Sequence, residues 1–226
     1  MTTERPILFS TAMVRELLGG TKTQTRRPVV PMAGMQSRWL THEMITASPR
    51  LRVARSDEGD ANRGELGAAM EHPKGGPLGW VRCPYGQPGD VLWVRETFSA
   101  CRHGKAHPKC LEYRADAEND EVTWTPSIHM PRKLARIFLR ITQIRVERLR
   151  DISDDDARAE GVRLGEPLPA LITVTDLDGS VTSKRGTVRD FTWKGAYLRL
   201  WDAINGRRYP STKNPWVWVV AFERAA

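Results

Sequence analysis

Apolar positions along this chain fall into short, separated runs. Pro6 to Phe9 is an apolar run of strand length. Met13, Val14, Leu17 and Leu18 then recur at helical spacing, which predicts a short helix over Thr11 to Leu18. Ser10 or Thr11 can cap it, and Gly19-Gly20 stops it. Residues 21–28 run on extended and end at Pro28. Tyr85-Gly-Gln-Pro-Gly-Asp90 is a turn by composition, and the Val91 to Phe98 stretch after it has strong β-propensity. Residues 99–110 read as a loop, followed by a hairpin of Leu111 to Arg114 with Glu121 to Trp124. Over residues 134–150, Ile137, Leu139 and Ile141 alternate, while Ile144 and Val146 alternate in the opposite phase. That slip predicts a bulge near Thr142-Gln143. Ser153-Asp-Asp-Asp156 opens a short helix that Gly161 ends. Asp190 caps a helix carrying Phe191, Tyr197, Leu198, Trp201 and Ile204, closed by Asn205-Gly206. The last strand, Pro215 to Glu223, puts Trp216 and Trp218 on one face and Val217 and Val219 on the other.

Two stretches break this pattern. Residues 29–84 are rich in Pro, Gly, Arg and Met with little sustained periodicity, and read as an insertion or long loop. Residues 163–189 read as a second insertion, a hairpin around Asp176 to Gly179. No regular alternation of strand and helix appears, which argues against a doubly wound parallel sheet. The expected fold is α+β: one domain over residues 1–226, a small mixed barrel with short peripheral helices and two insertions.

Composition narrows the setting. The chain has 226 residues, 40% of them apolar, and a mean hydropathy of -0.48. No run approaches the roughly 18 apolar residues that span a bilayer. No apolar stretch of signal-peptide type follows the charged start, so a cytosolic setting without a membrane partner is expected. Three cysteines, an odd number, do not suggest a disulfide framework. A net charge of +8 and a pI near 9.7 favour an acidic partner, nucleic acid first. The charge is uneven: Arg132, Lys133, Arg136, Arg140, Arg145, Arg148 and Arg150 stand against Glu147 alone within 132–150. Such a run is either a phosphate-binding stripe or a solvated sheet face.

The densest chemistry lies in Gly19-Gly-Thr-Lys-Thr-Gln-Thr-Arg-Arg27, just past a helix end. Lysine there offers a proton-transfer group or point charge, threonine a hydroxyl, and arginine a planar fork for phosphate or a base edge. In a regular strand Lys22 and Thr25 point to opposite faces, so they converge only if the chain bends near Thr23 or the lysine stem wraps round. The plainer reading has Lys22 and the arginines gripping phosphates while the threonines cap or pair.

This segment resembles the signature of ASCH-domain proteins of the PUA-like superfamily. Pro88-Gly-Asp-Val-Leu-Trp-Val-Arg-Glu-Thr97, Ala159-Glu-Gly161 and the Trp201-Asp-Ala-Ile-Asn-Gly206 to Asn214-Pro-Trp-Val-Trp-Val-Val-Ala-Phe222 stretch follow in the family's order. With Trp124-Thr-Pro-Ser-Ile-His-Met-Pro-Arg132 they resemble its phage and prophage branch. The resemblance covers roughly residues 6–30, 85–162 and 190–224 and leaves both insertions outside. It implies a PUA-like β-barrel whose cleft accepts a modified nucleoside, RNA or DNA. Some small members remove an acyl group from N4 of acylated cytidine, and no cofactor is expected for this chain. Their motif places catalytic roles on Lys22, Thr25 and Glu160, with Arg27 as a basic neighbour. Thr25 would be the nucleophile, Lys22 its base if burial or nearby charge lowers its pKa, and Glu160 a proton shuttle.

Other residues join this picture as binding candidates. Arg26 and Arg27 suit phosphate contacts. Glu96 either accepts a base amino group or pairs across the sheet. Ser127, His129 and Arg132 form a polar patch ahead of the basic run. Trp39, Trp80, Trp93 and Trp124 offer stacking faces. Cys101, His103, His107 and Cys110 have an uncommon spacing for zinc, and a reduced loop is the plainer reading, so no metal is expected. The competing functions are a non-catalytic RNA- or DNA-binding module and, third, a ribonuclease. No obligate protein partner is evident.

Overall fold

The computed structural model describes residues 2–30, 42–48, 50–55, 65–71, 77–99, 111–117, 122–165, 168–175, 181–188 and 192–225. Strand β1 (Glu4–Leu8) leads into helix α1 (Thr11–Leu18), whose Ser10 cap accepts the Met13 N–H. Strand β2 (Gln24–Pro28) follows. Helix α2 (His42–Ala47) and strands β3 (Leu51–Arg55), β4 (Leu66–Glu71) and β5 (Pro77–Arg82) come next. Then come β6 (Val91–Arg95), β7 (Phe98–Ser99), β8 (Glu112–Tyr113) and the long β9 (Phe138–Arg148). Helix α3 (Asp154–Ala159), the hairpin β10 (Leu168–Thr175) and β11 (Val181–Val188), helix α4 (Trp193–Asn205) and β12 (Trp216–Arg224) complete the chain.

The main sheet has the order β1-β6-β9-β12-β2, with β1 parallel to β6 and every other neighbour antiparallel. The α+β class is therefore as expected. The closed barrel is not: among the described residues β1 and β2 are edges that do not pair. A side chain spans the seam instead, as Arg27 Nη2 donates to the Leu8 carbonyl at 2.6 Å.

β12 separates two cores. Trp216, Trp218, Val220 and Phe222 face the larger one with Ile7, Leu92, Leu139 and Ile141. Val217 and Val219 face a smaller one with Ala157, Tyr197 and Trp201 from α3 and α4. The predicted bulge is present: the β9–β12 register shifts where Ala221 and Phe222 face Gln143 and Ile141, leaving Thr142 unopposed.

The stretch read as a long loop holds real structure. β3, β4 and β5 form a three-stranded antiparallel sheet, and Ile45, Leu51, Ala68, Met70, Val81 and Cys83 join the larger core. Its strands are short and rich in small residues, so their alternation is faint. Gly67 is needed there, since a Cβ would lie 2.2 Å from the Trp80 ring. Arg148 ties this unit to the main sheet, donating to the carbonyls of Thr46, Ser48 and Asn214 at 2.9, 2.9 and 3.1 Å.

Two local expectations change. β8 pairs with β7, and Phe98 bridges Thr125, so the Leu111–Arg114 segment does not hairpin with the Trp124 region. Helix α4 starts after Thr192, whose hydroxyl accepts the Gly195 N–H at 3.1 Å, and not after Asp190, which lies outside the described residues. β10 and β11 pair antiparallel, as the expected hairpin requires. Among the described residues no helix is long and apolar enough to cross a membrane.

Candidate functional site

Lys22 and Glu160 are brought together by two helix ends. The carbonyl of Glu16 in α1 accepts the N–H groups of Thr21 and Lys22 at 3.0 and 3.1 Å. The Ala159 carbonyl of α3 accepts from Thr23 at 2.9 Å. Gly20 and Gly161 take φ of +76° and +80°, the left-handed region that glycine tolerates. A Cβ on Gly161 would sit 2.8 Å from Glu16 Cβ and 3.1 Å from Lys22 Cβ, so this glycine also permits the close approach.

Along the chain Lys22, Gln24 and Arg26 alternate toward α3. Lys22 Nζ donates to Glu160 Oε2 at 3.0 Å and to the Glu160 carbonyl at 2.9 Å. Arg26 Nη1 donates to the other carboxylate oxygen, Glu160 Oε1, at 3.2 Å. Arg26 Nη2 reaches Glu147 Oε2 at 3.0 Å and Asp156 Oδ2 at 2.9 Å. Arg145 pairs with Glu147 and Asp156, and Gln24 Nε2 donates to Asp156 Oδ1 at 3.1 Å. Three cations thus face three carboxylates, which is the arrangement that makes burying them tolerable. Lys22, Thr25, Arg26 and Glu160 are only 2%, 1%, 3% and 4% exposed.

The surroundings shift their protonation. Burial pushes the Lys22 ammonium below its ordinary value; Glu160 opposes this, while Arg27 and Arg26 add to it. Burial also works against the charge of Arg26, but Glu160, Tyr197, Asp156 and Glu147 outweigh it and raise its pKa. Burial, then the charge of Glu160, raises Tyr197 well above an ordinary phenol. Burial disfavours the Asp156 carboxylate, yet Arg26, Arg145 and Gln24 hold its pKa below the usual range.

Thr25 stands apart. It lies opposite Val220, which faces the larger core, whereas Arg26 lies opposite Val219, which faces the smaller one. No side-chain hydrogen bond links Thr25 to Lys22 or Glu160. Arg27 shares the Thr25 face, and its guanidinium sits 5.4 Å from the centre of the Phe9 ring. Lys22 Nζ lies 5.5 Å from that same ring. The Phe9 ring therefore lies near both cations, while no observed contact joins Lys22 to Thr25.

The remaining candidates fall elsewhere. Glu96 is buried and held by Arg136 through both oxygens, at 2.9 and 3.0 Å. Arg136 also pairs with Asp116 and stacks 3.8 Å from the Tyr113 ring. Arg132 pairs with Glu4 at 2.6 and 2.9 Å on the surface, and Ser127 to His129 form an exposed turn beside it. None of these reaches Lys22. Five of the seven cations in 132–150, namely Arg132, Arg136, Arg140, Arg145 and Arg148, have partners within the chain. Arg136, Arg145 and Arg148 among them are less than a third exposed or tied to backbone carbonyls, while Arg132 and Arg140 stand about half exposed. Trp39, Cys101, His103, His107 and Cys110 lie outside the described residues. Among the described residues no three His, Cys, Asp or Glu side chains gather as a metal site.

Glu147, Arg145, Asp156 and Tyr197 were not expected at the site. Arg145 and Glu147 sit opposite Val219 and Val217 on β12, which puts them on the Arg26 face. Their two-residue spacing hints at this, but only the strand register reveals it. Compared with family models, curated proteins and solved structures, the chain matches none. The site therefore speaks through its chemistry. A buried amine with a lowered pKa, hydrogen-bonded to a carboxylate that an arginine orients, is suited to moving protons.

Proposed function

We propose that this protein is an amidohydrolase that recognises a modified pyrimidine nucleoside and removes the N4-acyl group of acylated cytidine. The observation that carries this reading is the buried Lys22–Glu160 contact at 3.0 Å, with Lys22 shifted toward its neutral form. The resemblance of residues 19–27 to ASCH-domain amidohydrolases supports the same roles. In this reading a bend near Thr23 brings the two strand faces together, and the Lys22 amine then takes the proton of the Thr25 hydroxyl as its oxygen bonds to the acyl carbon. The bond from that carbon to N4 then breaks, and the proton passes to N4, releasing cytidine. Water cleaves the resulting Thr25 ester, its proton returning through Lys22 and Glu160, and the acid leaves as a carboxylate. Arg26 orients Glu160 through its other carboxylate oxygen.

The burial of Arg26 against three carboxylates weakens the idea that it grips phosphates. A non-catalytic nucleic-acid module keeps only the support of the +8 net charge. Purified protein incubated with N4-acetylcytidine, followed by chromatography for cytidine, separates the two. Turnover that drops about 10²–10⁴-fold in Lys22→Ala and in Glu160→Gln is the expected result. Absence of turnover by folded wild type that demonstrably binds the nucleoside overturns the catalytic reading and leaves the binding module.

A further inference from the structure

Glu16, near the end of α1, reaches both segments that carry the Lys22–Glu160 pair. Its two carboxylate oxygens are divided between them. Oε2 accepts the Thr21 hydroxyl at 2.5 Å, one residue before Lys22. Oε1 lies 2.7 Å from Arg163 Nη2, three residues after Glu160. The Thr21 hydroxyl also lies 3.0 Å from the Glu16 carbonyl. On the other side a Cβ added to Gly161 would lie 2.8 Å from Glu16 Cβ and 3.2 Å from its Cγ, so the Glu16 stem is wedged against the backbone that follows Glu160.

Exposure runs the opposite way from the pair itself. The side chains of Lys22 and Glu160 are 0% and 4% exposed, whereas Arg163 is 68% exposed and Thr21 is also at the surface. The fastening is therefore open to water while the pair it fastens is buried. Its two arms are unequal, because a hydrogen bond to a carboxylate outweighs an exposed ion pair. Among the described residues the Glu16 side chain makes no hydrogen bond or ion pair with the side chains of Lys22 or Glu160, so it acts on them through the segments they sit in. Each segment also holds a left-handed glycine, Gly20 or Gly161, where backbone torsions can change without a Cβ clash.

We infer that the Glu16 carboxylate is a latch: it pins Thr21 to Arg163 and thereby keeps Lys22 sealed against Glu160. Releasing it lets the Lys22 segment lift at Gly20 while the sheets stay folded. Glu16 is thus a positioning residue that controls access to the lysine of the proposed reaction, and only the chemistry behind the seal rests on that reading.

Two labelling rates on the full-length protein, followed by mass spectrometry across sub-denaturing urea, test the latch. Acetylation of Lys22 by sulfosuccinimidyl acetate reports opening of the seal. Alkylation of Cys83 by iodoacetamide reports unfolding of the larger core, in which that thiol is 2% exposed. In wild type the Lys22 rate should be nearly flat in urea, as local opening exposes little surface, while the Cys83 rate climbs. Glu16→Ala keeps the main-chain carbonyl that holds Thr21 and Lys22, and alanine suits a helix. It should raise Lys22 acetylation about tenfold, still flat in urea. Arg163→Gln should raise it by no more than about fivefold. An unchanged Lys22 rate in Glu16→Ala, or a urea dependence as steep as that of Cys83, overturns the latch. Cytidine release from N4-acetylcytidine by the same proteins reads the chemistry separately. The expected labelling with no release by any of them overturns the amidohydrolase reading and leaves the latch standing.

Discussion

Glu160 serves Lys22 twice, through its carboxylate and through its own backbone carbonyl. The lysine proton therefore has two acceptors on one residue, and moving Glu160 moves both. Arg27 adds a like charge that lowers Lys22 further. Removing that charge with Arg27→Met should raise the Lys22 pKa. A reaction needing neutral Lys22 then has its ascending pH limb displaced to higher pH, read from kcat/KM against pH. A displacement to lower pH would contradict a base role for Lys22. Gly161→Ala should be costly, since it combines a left-handed φ with a 2.8 Å approach to Glu16. A stability loss of about 1–3 kcal/mol by denaturant titration is expected, with activity falling in step as Glu160 is displaced. Cys83 offers a check on burial. Its raised pKa means that its contribution is fully present below the unfolded value near 9.0 and is lost as pH climbs through about 11. Wild-type stability should decline across that window by about 2–3 kcal/mol more than that of Cys83→Ala.

At the scale of elements, α3 is only six residues long yet carries Glu160 at its end and Asp156 in its first turn. Its Ser153 cap accepts the Asp156 N–H at 3.1 Å. Ser153→Ala should cost about 0.5–2 kcal/mol in thermal or chemical unfolding. β12 is the other critical element. Trp218, 1% exposed in the larger core, should cost about 3–5 kcal/mol when replaced by Ala. These two elements were also the most legible in the sequence. β12 has an unbroken apolar run with clear faces, and α3 has a cap followed by acids. The bulge at Thr142 was legible because two phases of alternation collide there. The β3-β4-β5 unit was not, because Gly67, Ala68 and Ala69 give no periodic signal. Its stability comes from contacts with the rest of the core. The barrel seam was illegible too: whether β1 and β2, the two edges, meet depends on the order and twist of the whole sheet, which no local pattern encodes.

For the whole molecule, the surplus of positive charge is less available than composition suggests. Arg26, Arg136 and Arg145 are committed to buried or half-buried carboxylates. The motif around Lys22 is dense in chemistry in the sequence, and the fold pairs its lysine with Glu160. The carboxylates that neutralise Arg26 come from β9 and α3, more than a hundred residues away in the chain, so only the folded register could supply them. Thr25 lies on the opposite strand face, as strict alternation demands.

The two left-handed glycines flanking the Lys22–Glu160 contact have a kinetic consequence. If Lys22 and Glu160 are the reaction centre proposed above, a site sealed to a few per cent of its surface is reached only when the segment between Gly19 and Thr23, or the end of α3, swings aside. Binding is then gated: at rising substrate concentration the observed association rate should level off at the opening rate. The apparent affinity is diminished by the fraction of open molecules. A weakened α3, as in Ser153→Ala, should therefore show a lower KM alongside its lower stability, the opposite of what loss of a direct contact would produce.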